Sequence, residues 1–534
     1  MTTVTQTSRP SVNWIAVVTL VCVAVAWSFA RLWLQPARVF TADDFIARDS
    51  AYQLHLNDQL LAGKRFYSEV FSPYGPASAF LNLLWVRLFG NTARAFMIGQ
   101  ALLASVCLAQ AFFLIRRVLS PWWAVCLTIV AVLPWMPSPA GGFGAVLPSY
   151  GGFERVILLA IALSWRPVPG RTRLISLQLG LLLGCLTWIK FGSCFVAGAA
   201  LFVTDAIDSI MNSPRPGWRK FVLNNALILA GFLIGQFALA GYAFITLPAA
   251  IARDFLWPSY MLESYAGYVG SDRFLQWHNL GYFVGAELPL IAGTIAVLVG
   301  IFRLIRTTKA TDNLTIKTFP PFVFLFLFWC LGLTGYFAHV WLILSYAWLL
   351  MVASAGALAL LQPRWRLIAL CGWLPCLLVT ARGVVSTPPA DRSPKTFPNG
   401  ETLWLNPIWE TRLSALERTL DERCGPDARH DIAIMGSPTA GGLAHYVGYS
   451  TLTRHAWLMA GFVRKYDEPA VRRSLDQTCA LILFLQKPIE KPGSNPNNWG
   501  LGPVFSRSLA AEIEHKFGEE IKIDRDCWVF IRPR

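Results

Sequence analysis

Apolar residues run through this chain in blocks of roughly 20, broken by short stretches rich in Arg or in Pro and Gly. A helix crosses a bilayer with about 17 to 25 predominantly apolar residues. The pattern therefore predicts a polytopic α-helical membrane protein, with crossings near 13 to 34, 95 to 115, 121 to 138, 151 to 165, 174 to 189, 191 to 208, 221 to 246, 282 to 302, 319 to 338, 341 to 361 and 366 to 382. Two stretches need a decision. Residues 174 to 208 form an apolar run of 35 interrupted by Lys190, too long for one span. Both flanks are Arg-rich, so two short helices are expected with Lys190 at their outer turn. Residues 76 to 90, PASAFLNLLWVRLFG, are read as a helix lying in the outer interface, because a crossing there would put Arg116 and Arg117 outside.

Short basic loops stay in the cytoplasm. Arg116-Arg117, Arg166/Arg171/Arg173, Arg215/Arg219/Lys220, Arg303/Arg306/Lys309/Lys317 and Arg364/Arg366 all fit on one side. The N-terminus is then cytoplasmic, and the eleven crossings of residues 1–382 send residues 383–534 outside. Loops 35 to 93, 134 to 153 and 247 to 281 are left on the outer side. No Ala-x-Ala site follows the first apolar run, which reads as a retained helix rather than a signal peptide.

Composition agrees, with 55% hydrophobic and 14% charged residues against the roughly 25% charged of soluble domains. A net charge of +15 would point to nucleic acid in a soluble protein. Here the tail from Gly383 carries 19 basic and 18 acidic residues, so the excess lies in the membrane part and no nucleic-acid partner is expected. The tail alternates candidate strands (Asp431 to Met435, Ala480 to Leu485, Cys527 to Ile531) with amphipathic stretches such as Trp409 to Cys424 and Ser508 to Phe517. That pattern predicts a small α/β or α+β domain. Its HDIAIMGSPTAGG stretch lacks G-x-G-x-x-G and supports no nucleotide site. Cys424, Cys479 and Cys527 permit one disulfide if the tail is extracytoplasmic.

The chemistry concentrates in the first outer loop, where TADDFIARDSAYQLH (41 to 55) places three carboxylates within seven positions. Asp44 suits an N-cap and Gly63 a C′ position for one helix between them. At about 100° per residue, Phe45, Tyr52, Leu56 and Leu60 then share a face, and Asp49 falls inside that stripe. A carboxylate on an apolar face is paired, for instance to Arg48 or Arg94, or it is functional. Asn57, Asp58 and Ser50 fall on the far, solvated side, and Asp43 has no evident task.

The stretch RDSAYQLHLNDQLLAGKRFYSEVFSPYGP (48 to 76), following one transmembrane helix, resembles the first external loop of GT-C glycosyltransferases, especially bacterial relatives of protein O-mannosyltransferases and aminoarabinose lipid A transferases. The shared features are an Asp followed three residues later by Tyr, a helix ending in Gly, and a Pro-bearing segment before an interfacial helix. The resemblance implies a polyprenyl-phosphate-linked sugar donor, inverting transfer, and an envelope glycan, lipid or protein as acceptor at the bacterial cytoplasmic membrane. By it Asp49 is the general base, with Asp44, Tyr52, Glu69 and Tyr74 in the substrate loop. Lys190 in TWIKFG resembles the Lys that meets the donor phosphate; a snorkelling interfacial Lys is the plainer reading. Glu154 stands where relatives carry an acid in the second outer loop, although an acid near a helix start is also favoured by the dipole. His339 matches a His/Tyr-rich entry to a late helix. Arg253 and Arg273 in the aromatic third loop suit a phosphate.

There are departures. Asp49-Ser50 replaces the Asp-Glu of many relatives, and Ser72-Pro73-Tyr74 stands where the aminoarabinose transferases have Glu-Lys-Pro. With no Asp-x-Asp in this loop, no divalent metal or other cofactor is expected. The competing class is a transporter or flippase of lipid-linked saccharides, which would show midmembrane ionisable residues and repeated halves. No convincing internal repeat is present.

Overall fold

The computed structural model describes residues 14–47, 49–72, 74–116, 119–132, 150–166, 168–211, 218–257, 391–426, 428–436, 439–455, 463–484, 506–524 and 527–533. Among these, α1 (Trp14–Leu34), α6 (Ala93–Ile115) and α11 (Trp218–Thr246) are long and apolar enough to cross a membrane. The outer surface of α11 shows what surrounds it: Leu229, Ile234, Phe237, Phe244 and Ile245 are all exposed. A continuous apolar stripe of this kind faces lipid rather than water. The shorter apolar helices α7 (Pro121–Val132), α8 (Tyr150–Ser164), α9 (Arg173–Thr187) and α10 (Phe191–Met211) follow the expected crossings. The crossings expected from 282 to 382, with Arg273 and His339, lie outside the described residues.

Residues 174 to 208 do divide in two. Helix α9 ends at Thr187 and α10 begins at Phe191, leaving Lys190 in the break. Two glycine pairs make α9 and α11 the most intimate helix pair. A Cβ on Gly180 would lie 2.1 Å from the Ile228 carbonyl oxygen, and one on Gly235 would lie 2.6 Å from Gly184 Cα. Small residues four apart let helices approach in lipid, where packing rather than hydrophobicity drives association. Residues 76 to 89 form α5 (Pro76–Phe89), started by Pro at its first position. At roughly 1.5 Å per residue it is too short to span. It buries Ser78, Ala79, Asn82 and Val86 and exposes Phe80, Leu81, Leu84, Leu88 and Phe89, as a helix lying in an interface would.

At the far end of α9 and α10 from Lys190 sits a fully buried ion pair. Arg171 donates to both oxygens of Asp205 at 2.5 Å, with both side chains at 0% exposure. The Trp165 indole also donates to Asp205 (2.9 Å), and Asp208 accepts from the Val168 amide (2.6 Å). The Arg-rich loop is thus bound to α10 through fixed partners.

Residues 393–531 form a seven-stranded set. Strands β1 (Ser393–Thr396) and β2 (Thr402–Leu405) make a hairpin. Five more, β3 (Ile432–Gly436), β4 (Ser450–Thr451), β5 (Ala480–Phe484), β6 (Glu519–Asp524) and β7 (Cys527–Ile531), lie in the order β4-β3-β5-β7-β6. Pairs β4-β3 and β3-β5 are parallel, and β5-β7 and β7-β6 antiparallel. Strands β3 and β5 are buried throughout, as parallel strands covered on both faces are. Helix α13 (Pro407–Arg423) starts from Asn406, whose side chain accepts from the Trp409 amide at 2.9 Å. Helices α14 (Thr439–Val447), α15 (Glu468–Gln477) and α16 (Arg507–Lys516) complete the layers. Cys424 and Cys479 form a disulfide, closing a separation of 55 residues, while Cys527 is buried in β7. Closing a loop of that size contributes about 4 kcal/mol by chain entropy.

Removing one member of a buried pair leaves the other charge uncompensated. Asp205→Ala should destabilise the protein by about 3–5 kcal/mol, read as a fall in the thermal midpoint in detergent. A midpoint unchanged from wild type would show that the pair is not holding the loop.

Candidate functional site

The first outer loop is not one helix from Asp44 to Gly63. It folds as α2 (Pro36–Val39), α3 (Ala42–Phe45) and α4 (Asp49–Leu61). Asp44 is not an N-cap. Thr41 caps α3, accepting from the Asp44 amide (3.2 Å) while its hydroxyl donates to Asp44 Oδ2 (2.7 Å). A short polar side chain just before the helix outcompetes the carboxylate that follows it. The helix phase therefore does not run from Phe45 into Asp49, which is instead the first residue of α4. Tyr52, Leu56 and Leu60 are buried as the periodicity requires. The C-terminal end matches: Gly63 has φ +84, its amide bonds the Leu60 carbonyl (3.1 Å), and Lys64 bonds Gln59 (3.0 Å). Those two bonds are a Schellman closure.

Nor is the far side of α4 solvated. Asn57 is 1% exposed, bonded to Gln53 (3.2 Å) and Asn91 (3.0 Å), and Asn91 also donates to Asp58 (2.7 Å). Asp43 accepts from Asn406 (3.2 Å), the Trp409 indole (3.0 Å) and Arg392 (3.5 Å). Its partners sit in the last third of the chain, so no local pattern could have shown its role.

Lys190 is placed by several bonds. The Trp188 indole donates to the Gly235 carbonyl (3.0 Å), and Gln236 donates to Thr187 (2.7 Å), tying the end of α9 to α11. The carbonyls that α9 leaves open at its C-terminus are taken by the first loop: Gly75 N–H donates to Ile189 and Ala77 N–H to Trp188, both at 2.9 Å. Only glycine fits at 75, since a Cβ there would lie 2.1 Å from the Trp188 oxygen. Glu154, 1% exposed and beyond the first turn of α8, faces Lys190 with Oε2 3.7 Å from Nζ and accepts from the Ser193 hydroxyl. The ammonium, its counter-carboxylate and the SPYGP segment thus converge on one turn, on the side of the first loop. Such a turn holds a cation ready for an incoming anion, with a carboxylate to balance it meanwhile.

The other expected residues divide. The Tyr52 hydroxyl donates to the Phe71 carbonyl (2.6 Å), holding α4 against the segment that leads to Tyr74. Tyr74 follows Ser72, whose hydroxyl accepts from its amide (3.2 Å). Glu69 is exposed and closes its own turn, accepting from the Arg65 amide (2.7 Å) and pairing with the Arg65 side chain (3.5 Å). Arg253 is exposed on α12 (Ala249–Leu256), beside Asp254, which binds Tyr466 (2.8 Å) and Arg464 (3.2 Å).

A buried His445 joins the two parts. Its Nδ1 donates to Asp58 (2.5 Å) and its Nε2 to Glu401 (3.1 Å), whose other oxygen accepts from the Ala93 amide at the start of α6 (2.6 Å). Burial alone would lower the imidazole, but the two carboxylates outweigh it and raise His445 from 6.5 to about 9. The neighbouring His55, pushed down to about 4 by burial, stays neutral and adds no competing charge.

No family model and no curated protein match this sequence. Among solved structures the chain is similar to ArnT from Cupriavidus metallidurans bound to undecaprenyl phosphate, at 14% identity and TM-score 0.48 over 97% of this chain and 98% of that one. It is also similar to the Archaeoglobus fulgidus oligosaccharyltransferase tethered with an acceptor peptide (11% identity, TM-score 0.49, 88% of this chain and 69% of that one). The same enzyme in complex with Zn and sulfate gives 10% identity and TM-score 0.46, over 88% and 68%. At these scores the functional reading has to stand on the residues of this chain.

The raised His445 sets a pH dependence. A cation gained in the folded state contributes fully below its ordinary value near 6.5 and is lost as pH rises through about 9. His445→Ala should lower stability at pH 7 by about 1.5–3 kcal/mol, the range for hydrogen bonds to charged groups. The gap from wild type should close as pH is raised past about 9; thermal midpoints differing equally at pH 7 and pH 10 would refute the bridge.

Proposed function

We propose that this chain is a membrane glycosyltransferase that moves a sugar from a polyprenyl-phosphate carrier to an envelope acceptor, by inverting transfer, on the outer face of the bacterial cytoplasmic membrane. The observation that carries the reading is the turn at Lys190: a cation between two short membrane helices, balanced by buried Glu154 and covered by the segment that follows Asp49's helix. The resemblance of residues 48 to 76 to GT-C first loops supports the same assignment, and the Cys424–Cys479 disulfide suits an oxidising compartment for the sheet unit.

In the proposed reaction the acceptor hydroxyl attacks the anomeric carbon from the face opposite the phosphate. Asp49 takes the hydroxyl proton as the new C–O bond forms. The bond from the anomeric carbon to the phosphate oxygen breaks, and polyprenyl phosphate leaves with that electron pair. Charge developing on the phosphate is met by Lys190, an ammonium fixed in advance at the position where the charge appears. The phosphate and Glu154 both seek that cation, so donor binding frees the Glu154 carboxylate, a second acid–base group at the reacting end. Arg253, Arg273 and His339 are assigned to the donor side, and Asp44, Tyr52, Glu69 and Tyr74 to the loop that borders the acceptor.

Losing a general base costs about 10²–10⁴ in rate. Asp49→Asn, assayed in purified membranes with a panel of radiolabelled polyprenyl-phosphate hexoses and pentoses, should lose turnover on that scale while remaining folded and abundant. Wild-type turnover in that variant would sink the role of Asp49. Movement of intact lipid-linked sugar across the bilayer without transfer would support a flippase instead.

A further inference from the structure

Helix α14 is buried along its whole length, from Thr439 to Val447. One side is covered by the sheet it belongs to; the other lies on α4. The fit is set by two adjacent glycines. A Cβ on Gly442 would lie 2.5 Å from the Ile46 carbonyl oxygen, 2.6 Å from Ile46 Cα and 2.9 Å from Ala51 Cβ. A Cβ on Gly441 would lie 2.9 Å from Tyr52 Cα. Real side chains do not tolerate such approaches to backbone, so the two helices touch main chain to main chain only because both residues are glycine. Ile46 lies before Asp49, and Ala51 and Tyr52 lie after it. The contacts therefore grip the chain on both sides of that residue.

Three further links make the grip two-ended. One turn beyond the glycines, His445 bonds Asp58 near the other end of α4. The backbone of Phe40 accepts from Trp404 N–H (2.8 Å), and Arg454 O accepts from Phe71 N–H (2.8 Å), fixing the loop where it enters and where it leaves. The apolar cores are continuous as well. Phe45, Ile46 and Leu54 pack in one cluster with Leu405, Trp409, Leu443 and Ile482, while Tyr52, Leu56 and Phe71 pack in another with Met435, Leu452 and Leu483.

We infer that the sheet unit of residues 391–533 is the seat of the loop that carries Asp49, and that Gly441 and Gly442 are positioning residues for the transfer reaction. The inference rests on the reading of Asp49 as the base. The direct bonds at the donor turn come from α9, α11 and Gly75 and none from α14, so disturbing the α14 glycines displaces the base side first. A residue 1 Å out of place is enough to cost about two orders of magnitude in rate.

The test uses the full chain in detergent or membranes, with Gly442→Ala, the milder Gly441→Ala, and Asp205→Ala as a destabilising control at the end of α9 and α10 far from Lys190 and outside both clusters. Three quantities are read: deuterium exchange of residues 46–55, affinity for undecaprenyl phosphate alone, and turnover of the radiolabelled donor panel. Gly442→Ala should raise exchange in 46–55 and cut turnover, each by at least tenfold, with undecaprenyl phosphate affinity within twofold of wild type. Gly441→Ala should move the same two readouts by less, and decides the matter if Gly442→Ala does not fold. Asp205→Ala should lower the thermal midpoint yet leave exchange in 46–55 and turnover within twofold at a temperature where it is folded. Wild-type exchange in the glycine variants overturns the seat, and raised exchange with wild-type turnover overturns the positioning role. Full turnover in Asp49→Asn would remove the base while leaving the exchange result standing, so the two failures are distinguishable.

Discussion

The apolar side chains of the first outer loop have no core of their own. Phe45, Ile46 and Leu54 are buried within a cluster that joins Leu32 of α1 and Phe96 of α6 to the sheet near the C-terminus, and Tyr52, Leu56 and Phe71 within a second that joins Ala243 and Leu247 to the same sheet unit. Burial of this kind is the dominant favourable term in folding, and here neither partner supplies it alone. A loop of short helices broken at Phe40 and Ile46 would otherwise pay its ordering entropy for little return. The arrangement accounts for the pairing of the charged groups at the boundary. Asp43, Asp58, Glu401 and His445 all find partners across it, since a buried charge without one is costly. The membrane helices and the sheet are thereby one mechanical object around the loop, and the disulfide from Cys424 to Cys479 stiffens the sheet side of it.

What the sequence disclosed was whatever one helix or one strand records in its own residues. The membrane helices up to Thr246, the division at Lys190, the short helix after Pro76 and the strands at Ile432, Ala480 and Cys527 are each written in local apolar runs and their interruptions. The break between α3 and α4 was missed because Thr41 and Asp44 offer competing caps, and only the fold of the whole loop decides between them. The employment of Asp43 and the charge on His445 were invisible for a different reason: Asn406, Trp409 and Asp58 lie hundreds of positions from the residues they partner, and even Asn57 is matched by Asn91, beyond its own helix. The glycines were present but mute. Gly180, Gly184, Gly231, Gly235, Gly441 and Gly442 read as ordinary small residues until the backbone lying against each of them is known.

The candidate site shows the same division of labour. Lys190 drew notice because an ammonium interrupts a 35-residue apolar run, and Glu154 because relatives carry an acid in the second outer loop. That the two face each other at 3.7 Å, with the Ser193 hydroxyl on the same carboxylate, is a property of how α8 meets the α9–α10 break. Glu69, by contrast, was attractive only for its place in sequence. Its carboxylate closes the turn that begins at Arg65, which is sufficient reason for an acid there.

The two halves of the proposed chemistry are held by different physics. The cation is fixed inside the bilayer's reach by helix packing that only glycine permits and by main-chain bonds from Gly75 and Ala77 to the end of α9. The loop that carries Asp49 is fixed by hydrophobic burial against the sheet unit. A transferase whose donor arrives in the membrane and whose acceptor arrives from the aqueous side needs this separation. Lateral movement of a lipid carrier past α9 and α11 can then occur without loosening the base, and an acceptor can approach the sheet without disturbing the phosphate. The stretch from Phe71 to Gly75 touches both systems, bonded at Phe71 to Arg454 of the sheet unit and at Gly75 to Ile189 beside Lys190. In the proposed reaction this short connection links the base side to the cation side, and Gly75, where a Cβ would meet the Trp188 carbonyl oxygen, is the point at which it is held.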